Sequence, residues 1–136
     1  MKAKLWSDGG ARGNPGPAGA GAYLLLADGR EFKLTEYLGS NTNNVAEYTG
    51  LKIGLVKALA ENVSDIECRM DSELLVKQLK GEYKVKAEHL KPLFIELQAL
   101  LRRFSAAKIM HVRREENKVA DLLSNQAMDQ GLGEGY

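Results

Sequence analysis

Residues 7–19 read SDGGARGNPGPAG, and this stretch decides how the first half of the chain is interpreted. One carboxylate, Asp8, comes directly after residues 2–8, whose alternating pattern is typical of a β-strand. Glycine and proline then dominate as far as Gly19, so the stretch fits a linker, a phosphate-binding loop or a catalytic loop. Each of these interpretations predicts a different organisation for the rest of the chain.

The composition is that of an ordinary globular domain. The chain has 136 residues, 44% of them hydrophobic and 27% charged, with a net charge of +1. Such a small net charge argues against wrapping nucleic acid by bulk electrostatics, but it permits a local basic groove. Cys68 is the only cysteine, so an internal disulfide and a thiolate zinc cluster are excluded and a cytoplasmic location is expected. No apolar run approaches the roughly 18 residues that span a bilayer, so we expect no membrane partner.

The order of the predicted elements indicates a mixed sheet. Strands over residues 19–27 and 30–38 flank Asp28-Gly29, a strong hairpin signal, and a helix is predicted from Thr42 or Asn43 to about Asn62. The later elements are a strand over 65–70, a short helix over 72–83, a helix over 89–104 with Pro92 in its first turn, a strand over 108–113 and a helix over 117–129.

This β-β-β-α-β-α-α-β-α order predicts an α/β fold. We expect a five-stranded mixed sheet, with three antiparallel strands followed by parallel crossovers, flanked by helices. Residues 1–129 are predicted to form a single domain, and residues 130–136 a flexible tail.

The opening stretch therefore lies inside one domain, which disfavours a linker. A phosphate-binding P-loop ends in Lys-Ser or Lys-Thr and opens a helix, and the dinucleotide fingerprint also precedes a helix. Here the glycine run opens another strand and contains no such lysine. The remaining interpretation is a carboxylate beside backbone that glycine leaves open to close approach.

Asp71 repeats the placement of Asp8 at the end of an alternating strand. If the two strands are neighbours, both carboxylates lie at one edge of the sheet, which is costly unless a cation lies between them. Glu47 shares a helix face with Gly50 and Gly54, so the small residues would bring it close to the sheet, although a favourable interaction with the helix dipole also explains it. Asp121 is a fourth candidate, for which a solvated helix face is the alternative.

The available ligands indicate the kind of metal. These carboxylates offer only oxygen, and the chain has just two histidines, His89 and His111, neither placed as a ligand by its pattern. Oxygen donors favour a hard cation such as magnesium or manganese over zinc.

Four motifs in this order resemble the type 1 ribonuclease H family, in the compact form without a basic protrusion. The motifs are DGGARGNPGPAG, TNNVAEYTGL, MDSELLVKQLKGEYKVK and ENKVADLLSNQAMD, and the resemblance covers about residues 3–129. The resemblance implies a ribonuclease H-like fold and an endonuclease that hydrolyses the RNA strand of an RNA–DNA hybrid, leaving 5′-phosphate and 3′-hydroxyl ends. It also implies a monomer with two Mg²⁺ ions per site, for which Mn²⁺ substitutes.

The resemblance assigns roles residue by residue. Asp8, Glu47, Asp71 and Asp121 match the catalytic, metal-binding carboxylates of the family. The residues matching substrate contacts are Gly10, Ala11, Arg12, Asn14, Thr42, Asn43, Asn44 and Ser72. Thr42 would belong to a pocket for a DNA phosphate, and helix capping is a second role for residues 42–44. Many relatives carry a histidine in the loop before the last aspartate, where this chain offers Glu115 or Glu116 as a substitute.

Two other classes of function stay open. A hybrid-binding module without catalysis is disfavoured because such a protein has no use for four carboxylates that repel one another without metal. A nuclease that acts on DNA is disfavoured by the glycine-bordered loop, which would face the RNA 2′-hydroxyls.

Overall fold

The computed structural model describes the backbone of residues 1–134 and the side chains of residues 1–131. The strands are β1 (Lys2–Ala11), β2 (Gly16–Leu26), β3 (Glu31–Asn41), β4 (Asp65–Met70) and β5 (Ala106–His111). The helices are α1 (Asn43–Ala60), α2 (Glu73–Leu79), α3 (Lys91–Leu101) and α4 (Lys118–Glu134), with short 3₁₀ turns at Glu88–Leu90 and Arg114–Glu116. The predicted order of elements is confirmed.

The five strands form one mixed sheet in the order β3-β2-β1-β4-β5. β1 pairs antiparallel with β2, and β2 with β3, whereas β4 is parallel to both β1 and β5. The second hairpin turns at Asp28-Gly29, where Gly29 has a φ of 93° that favours glycine. The expected fold class is therefore confirmed, including the neighbouring positions of β1 and β4.

The first hairpin differs from the prediction. β1 continues beyond Asp8 to Ala11, and β2 begins at Gly16, so the glycine-rich stretch is mostly paired strand around a short turn. Gly9 and Gly10 pair with Ala20 and Gly19, and these backbone hydrogen bonds outweigh the weak strand propensity of glycine. The close approach predicted for this segment is real: a Cβ on Gly9 would overlap the backbone of Ala46 in α1.

Helices cover both faces of the sheet. On one face, α1 presents Gly50 and Gly54 to β1, and a Cβ at either position would overlap Asp8 or Leu5. The predicted stripe of small residues thus brings Glu47 close to the sheet. On the other face, α4 packs on β2, where a Cβ on Gly21 would meet the backbone of Ser124.

One prediction for α3 and one for α4 can be compared with the structure. Pro92 lies in the first turn of α3, as expected. The predicted end of the last helix at residue 129 is too early, because α4 continues to Glu134 into the segment expected to be a tail. Gly131 packs against the ring of Tyr37, which holds this end of the helix on β3. Residues 135–136 lie outside the described residues.

No helix in the described chain combines the length and the apolar character that crossing a membrane requires.

Candidate active site

Four carboxylates from four segments line one cleft of about 510 Å³. Asp8 lies on β1 and Asp71 directly follows the neighbouring β4, so the parallel pairing of these strands places both side chains at one edge of the sheet. Glu47 comes from the second turn of α1, and Asp121 from the first turn of α4. The structure thus brings the four predicted carboxylates to the lining of one cleft.

Asp8 is the most perturbed of these groups. Burial is the main reason that its pKa rises from 3.8 to about 8, and the neighbouring charges of Asp71 and Asp121 raise it further. A hydrogen bond of 2.9 Å from the Gly9 N–H to Asp8 Oδ1 opposes this rise. Without a counter-charge, the cleft therefore favours a protonated Asp8 near neutral pH.

Glu47 has a similar but smaller perturbation. Burial raises its pKa from 4.5 to about 7, the Ser72 hydroxyl lowers it by donating a hydrogen bond, and the charge of Asp71 raises it. The same Ser72 oxygen accepts a hydrogen bond from the Leu75 N–H, at 3.2 Å, and so caps α2. Ser72 thus hydrogen-bonds to Glu47 without lining the cleft itself.

The cleft has the donors that a hard cation requires. All four acidic groups offer oxygen, and the raised pKa values of Asp8 and Glu47 come mainly from burial, with the neighbouring charge of Asp71 adding to both. Among residues 1–131, no three His, Cys, Asp or Glu side chains are close enough to hold one metal ion together. The donor chemistry of the cleft, four carboxylates that offer only oxygen, therefore suits a divalent cation.

The glycine-rich hairpin and the start of α1 form one wall of the cleft. The Ala11 N–H donates to Asn43 Oδ1 at 2.7 Å, and the Asn43 N–H donates to Asn14 Oδ1 at 3.2 Å. Gly10 and Asn44 complete this wall. Because Asn43 Oδ1 is already an acceptor for Ala11, its side-chain NH₂ remains as the donor for a ligand.

Two other predicted contacts have local partners. Thr42 is the N-cap of α1, and its hydroxyl accepts a hydrogen bond from the Val45 N–H at 3.2 Å, so the capping role is confirmed. It does not line the cleft. Arg12 does line it, and forms an exposed ion pair of 2.6 Å with Asp129 on α4.

The loop before α4 contains two residues that sequence reasoning missed. Arg114 lines the cleft, whereas Glu115 and Glu116 are exposed and do not line it. Asn117 is buried behind the cleft, where its Nδ2 donates to Asp71 Oδ2 at 3.2 Å. The sequence pattern placed Asn117 in the predicted helix over 117–129, on a polar side, and did not indicate this contact.

A larger cavity of about 690 Å³ lies at the opposite end of β1 and β4. Its lining includes Lys2, Leu25, Ile66 and Ala107 and is mostly aliphatic. Size alone would favour this cavity, but perturbed carboxylates occur in the smaller cleft, which is why we take the cleft as the functional site.

The fold and its acidic cleft define a ribonuclease H-like domain, and comparisons with known proteins agree. The family described as "Reverse transcriptase-like" matches residues 6–127. The chain is 43% identical over 131 residues to a bifunctional protein of Mycobacterium tuberculosis, covering 95% of this chain and 36% of that protein. It is 40% identical over 123 residues to ribonuclease HI of Halobacterium salinarum, covering 90% of this chain and 62% of that protein.

Solved structures show the same likeness. The N-terminal RNase H domain of the M. tuberculosis protein has a TM-score of 0.93 at 40% identity, covering 100% of this chain and 99% of that one. LC11-RNase H1, isolated from compost by a metagenomic approach and solved in complex with an RNA/DNA hybrid, has a TM-score of 0.86 at 39% identity, covering 96% and 99%. The chain therefore belongs to the type 1 ribonuclease H family.

Proposed function

We propose that this domain is an endonuclease that hydrolyses the RNA strand of RNA–DNA hybrids, leaving 5′-phosphate and 3′-hydroxyl ends. The observation that carries the proposal is the single cleft lined by Asp8, Glu47, Asp71 and Asp121. Membership of the family and the hybrid bound to LC11-RNase H1 support the choice of substrate. We expect the domain to act as a monomer.

The four carboxylates would hold two Mg²⁺ ions, with Mn²⁺ as a substitute. Bound divalent ions supply an activated water at neutral pH and stabilise charge on the phosphate and the leaving oxygen. Occupation by a cation also favours the ionised form of Asp8 and Glu47, which otherwise hold protons near pH 7.

The protein's own contribution is to seat and orient the hybrid. Gly10 and Ala11 would leave room for a nucleic-acid backbone, and Asn43, which lines the cleft and accepts through Oδ1 from Ala11, would donate from its NH₂ to acceptors in the minor groove. Asn14 and Asn44 extend this surface. Contacts to the RNA 2′-hydroxyls would distinguish the strand to be cut from DNA.

Charged and hydroxyl groups would hold the phosphates. Arg12 and Arg114 bring positive charge to a cleft otherwise dominated by carboxylates, so they are suited to the flanking phosphates. Thr42, at the N-terminus of α1, would contribute to binding a phosphate of the DNA strand. Ser72 would contribute on the RNA side indirectly, by its hydrogen bond to Glu47. Neither Glu115 nor Glu116 lines the cleft, so any part they play would require the loop to move on binding.

Cleavage of strand-labelled substrates tests this proposal. An RNA–DNA hybrid, an RNA duplex and a DNA duplex of one sequence are each incubated with Mg²⁺, Mn²⁺ or chelator at a fixed salt concentration. We expect metal-dependent cutting of the RNA strand of the hybrid alone. Equal cutting of the DNA duplex would identify a DNA nuclease, and hybrid binding without cutting by either ion would identify a binding module; both results would overturn the proposal.

A further inference from the structure

Asn117 occupies the N-cap position of α4 but does not use its side chain as a cap. The Asp121 N–H donates to the Asn117 carbonyl oxygen at 3.0 Å, and α4 begins at the next residue, Lys118. Asparagine is favoured at this position because its Oδ1 accepts a hydrogen bond from the first turn of the helix. Here Asn117 Oδ1 is buried and has no hydrogen-bond partner within the described part of the chain.

The side-chain NH₂ of Asn117 is used instead across the site. Asn117 Nδ2 donates to the Ser7 carbonyl oxygen at 3.0 Å and to Asp71 Oδ2 at 3.2 Å. Both partners are acceptors, so the reverse orientation of the amide would place three oxygens together. The orientation of Asn117 is therefore determined by the oxygens that it faces.

This contact lies where two strands separate. The pairing of β1 with β4 ends at Trp6 and Arg69, one residue before Ser7 and two before Asp71. Asn117 bridges the two strands just beyond the last pair, although it lies 110 residues from Ser7 in the chain. Since Asp121 is one turn further along α4, the same contact also locates a second carboxylate relative to the sheet.

Within the described residues, Asp8, Glu47 and Asp71 each accept a hydrogen bond from a neutral donor. Gly9 serves Asp8 and Ser72 serves Glu47, and both donors are close to the carboxylate in the chain or on the adjoining helix. Asp71 depends on Asn117, which is 99% buried and leaves one of its own polar atoms unpaired. A buried polar atom without a partner destabilises the fold, so stability alone does not explain an asparagine here.

We infer that Asn117 is a positioning residue, which orients Asp71 and places Asp121 for metal binding. The inference rests on the proposed function, since it assigns metal binding to these carboxylates. Hydrogen bonds that orient a metal ligand typically change affinity or activity 10- to 100-fold when they are removed.

The test compares Asn117→Ser with the wild type. Serine caps helices well but is too short to replace both donated hydrogen bonds, so the variant is expected to keep its Tm within a few degrees. Calorimetric titration of the free protein with Mn²⁺ should show affinity lower by about 10-fold or more. The kcat on an RNA–DNA hybrid should fall about 10- to 100-fold with little change in KM.

A second variant and a control complete the design. Asn117→Asp keeps the shape and Oδ1 but places an acceptor against Asp71, so it should lose at least as much Mn²⁺ affinity; it carries the test if Asn117→Ser does not fold. Gln78→Met removes another buried amide, bonded to Tyr48, and should lower Tm while leaving Mn²⁺ affinity and kcat unchanged.

The outcomes separate the two proposals. Wild-type Mn²⁺ affinity and kcat in a folded Asn117 variant would overturn the positioning role, provided that Asp71→Asn abolishes both. Undiminished metal binding and cleavage in Asp71→Asn would instead overturn the proposed function.

Discussion

Replacing Asp8 with asparagine should stabilise the metal-free protein. The substitution removes a charge that burial and the neighbouring Asp71 and Asp121 disfavour. It keeps Oδ1 as the acceptor for the Gly9 N–H, whose hydrogen bond is 2.9 Å long. The variant therefore separates the effect of charge from the effect of shape.

The magnitude follows from the pKa. The rise from 3.8 to about 8 for Asp8 spans about four pH units, and each unit corresponds to about 1.4 kcal/mol, so the ceiling is about 5 kcal/mol near pH 7.5. Because the side chain is partly exposed and the repulsion is shared with Asp71, we expect about 1–3 kcal/mol. For a domain of this size, that gain corresponds to a Tm higher by roughly 4–12 °C.

Thermal and urea unfolding in chelator at pH 7.5 measures this effect. Asp129→Asn is the matched control, because Asp129 is an exposed aspartate in a surface ion pair that contributes little. Added Mg²⁺ should stabilise the wild type more than Asp8→Asn and so narrow the difference between them. A Tm several degrees lower for Asp8→Asn in chelator, or an equal gain in Asp129→Asn, would refute the electrostatic argument.

Three other predictions concern pH, packing and capping. In metal-free buffer the free energy of unfolding should fall as pH rises from about 4 to about 8, because the folded protein binds protons on Asp8 and Glu47 more tightly than the unfolded chain does. Urea titrations across this pH range measure the effect. A free energy of unfolding that stays constant or rises with pH would contradict it. Gly50→Ala should destabilise the fold by about 1–3 kcal/mol despite the better helix propensity of alanine, because the new Cβ meets the Asp8 carbonyl. A higher free energy of unfolding for this variant in chemical denaturation would contradict this packing. Thr42→Ala should cost about 1 kcal/mol through loss of the cap on α1, with Thr42→Ser as the control that retains it.

The acidic cleft was largely predictable because it depends on residue spacing along the chain and on the order of the strands. Asp8 and Asp71 each end or approach the end of an alternating segment, and a crossover between parallel strands places such ends side by side. Gly50 and Gly54 marked the face of α1 that approaches the sheet, which located Glu47. For these residues, spacing along the chain was sufficient.

Other features depend on contacts that no local pattern reveals. Glycines at positions 9 and 10 suggested a loop by propensity, but strand pairing between β1 and β2 overrides that preference. The predicted end of the last helix at residue 129 missed the close contact between Gly131 and the ring of Tyr37, which only the folded structure brings together. The role of Asn117 had no local signal, because its partners, Ser7 and Asp71, lie far away in the sequence.

Hybrid cleavage by four single variants in Mg²⁺ tests most directly whether the four carboxylates catalyse the reaction. Asp8→Asn, Glu47→Gln, Asp71→Asn and Asp121→Asn are compared with the wild type in single-turnover cleavage and in hybrid binding. If the four carboxylates form one catalytic unit, each variant should lose about 10³-fold or more in rate, combined variants should lose little more, and binding should persist. Near-wild-type cleavage in a folded variant of Asp8 or Asp71 would contradict the account.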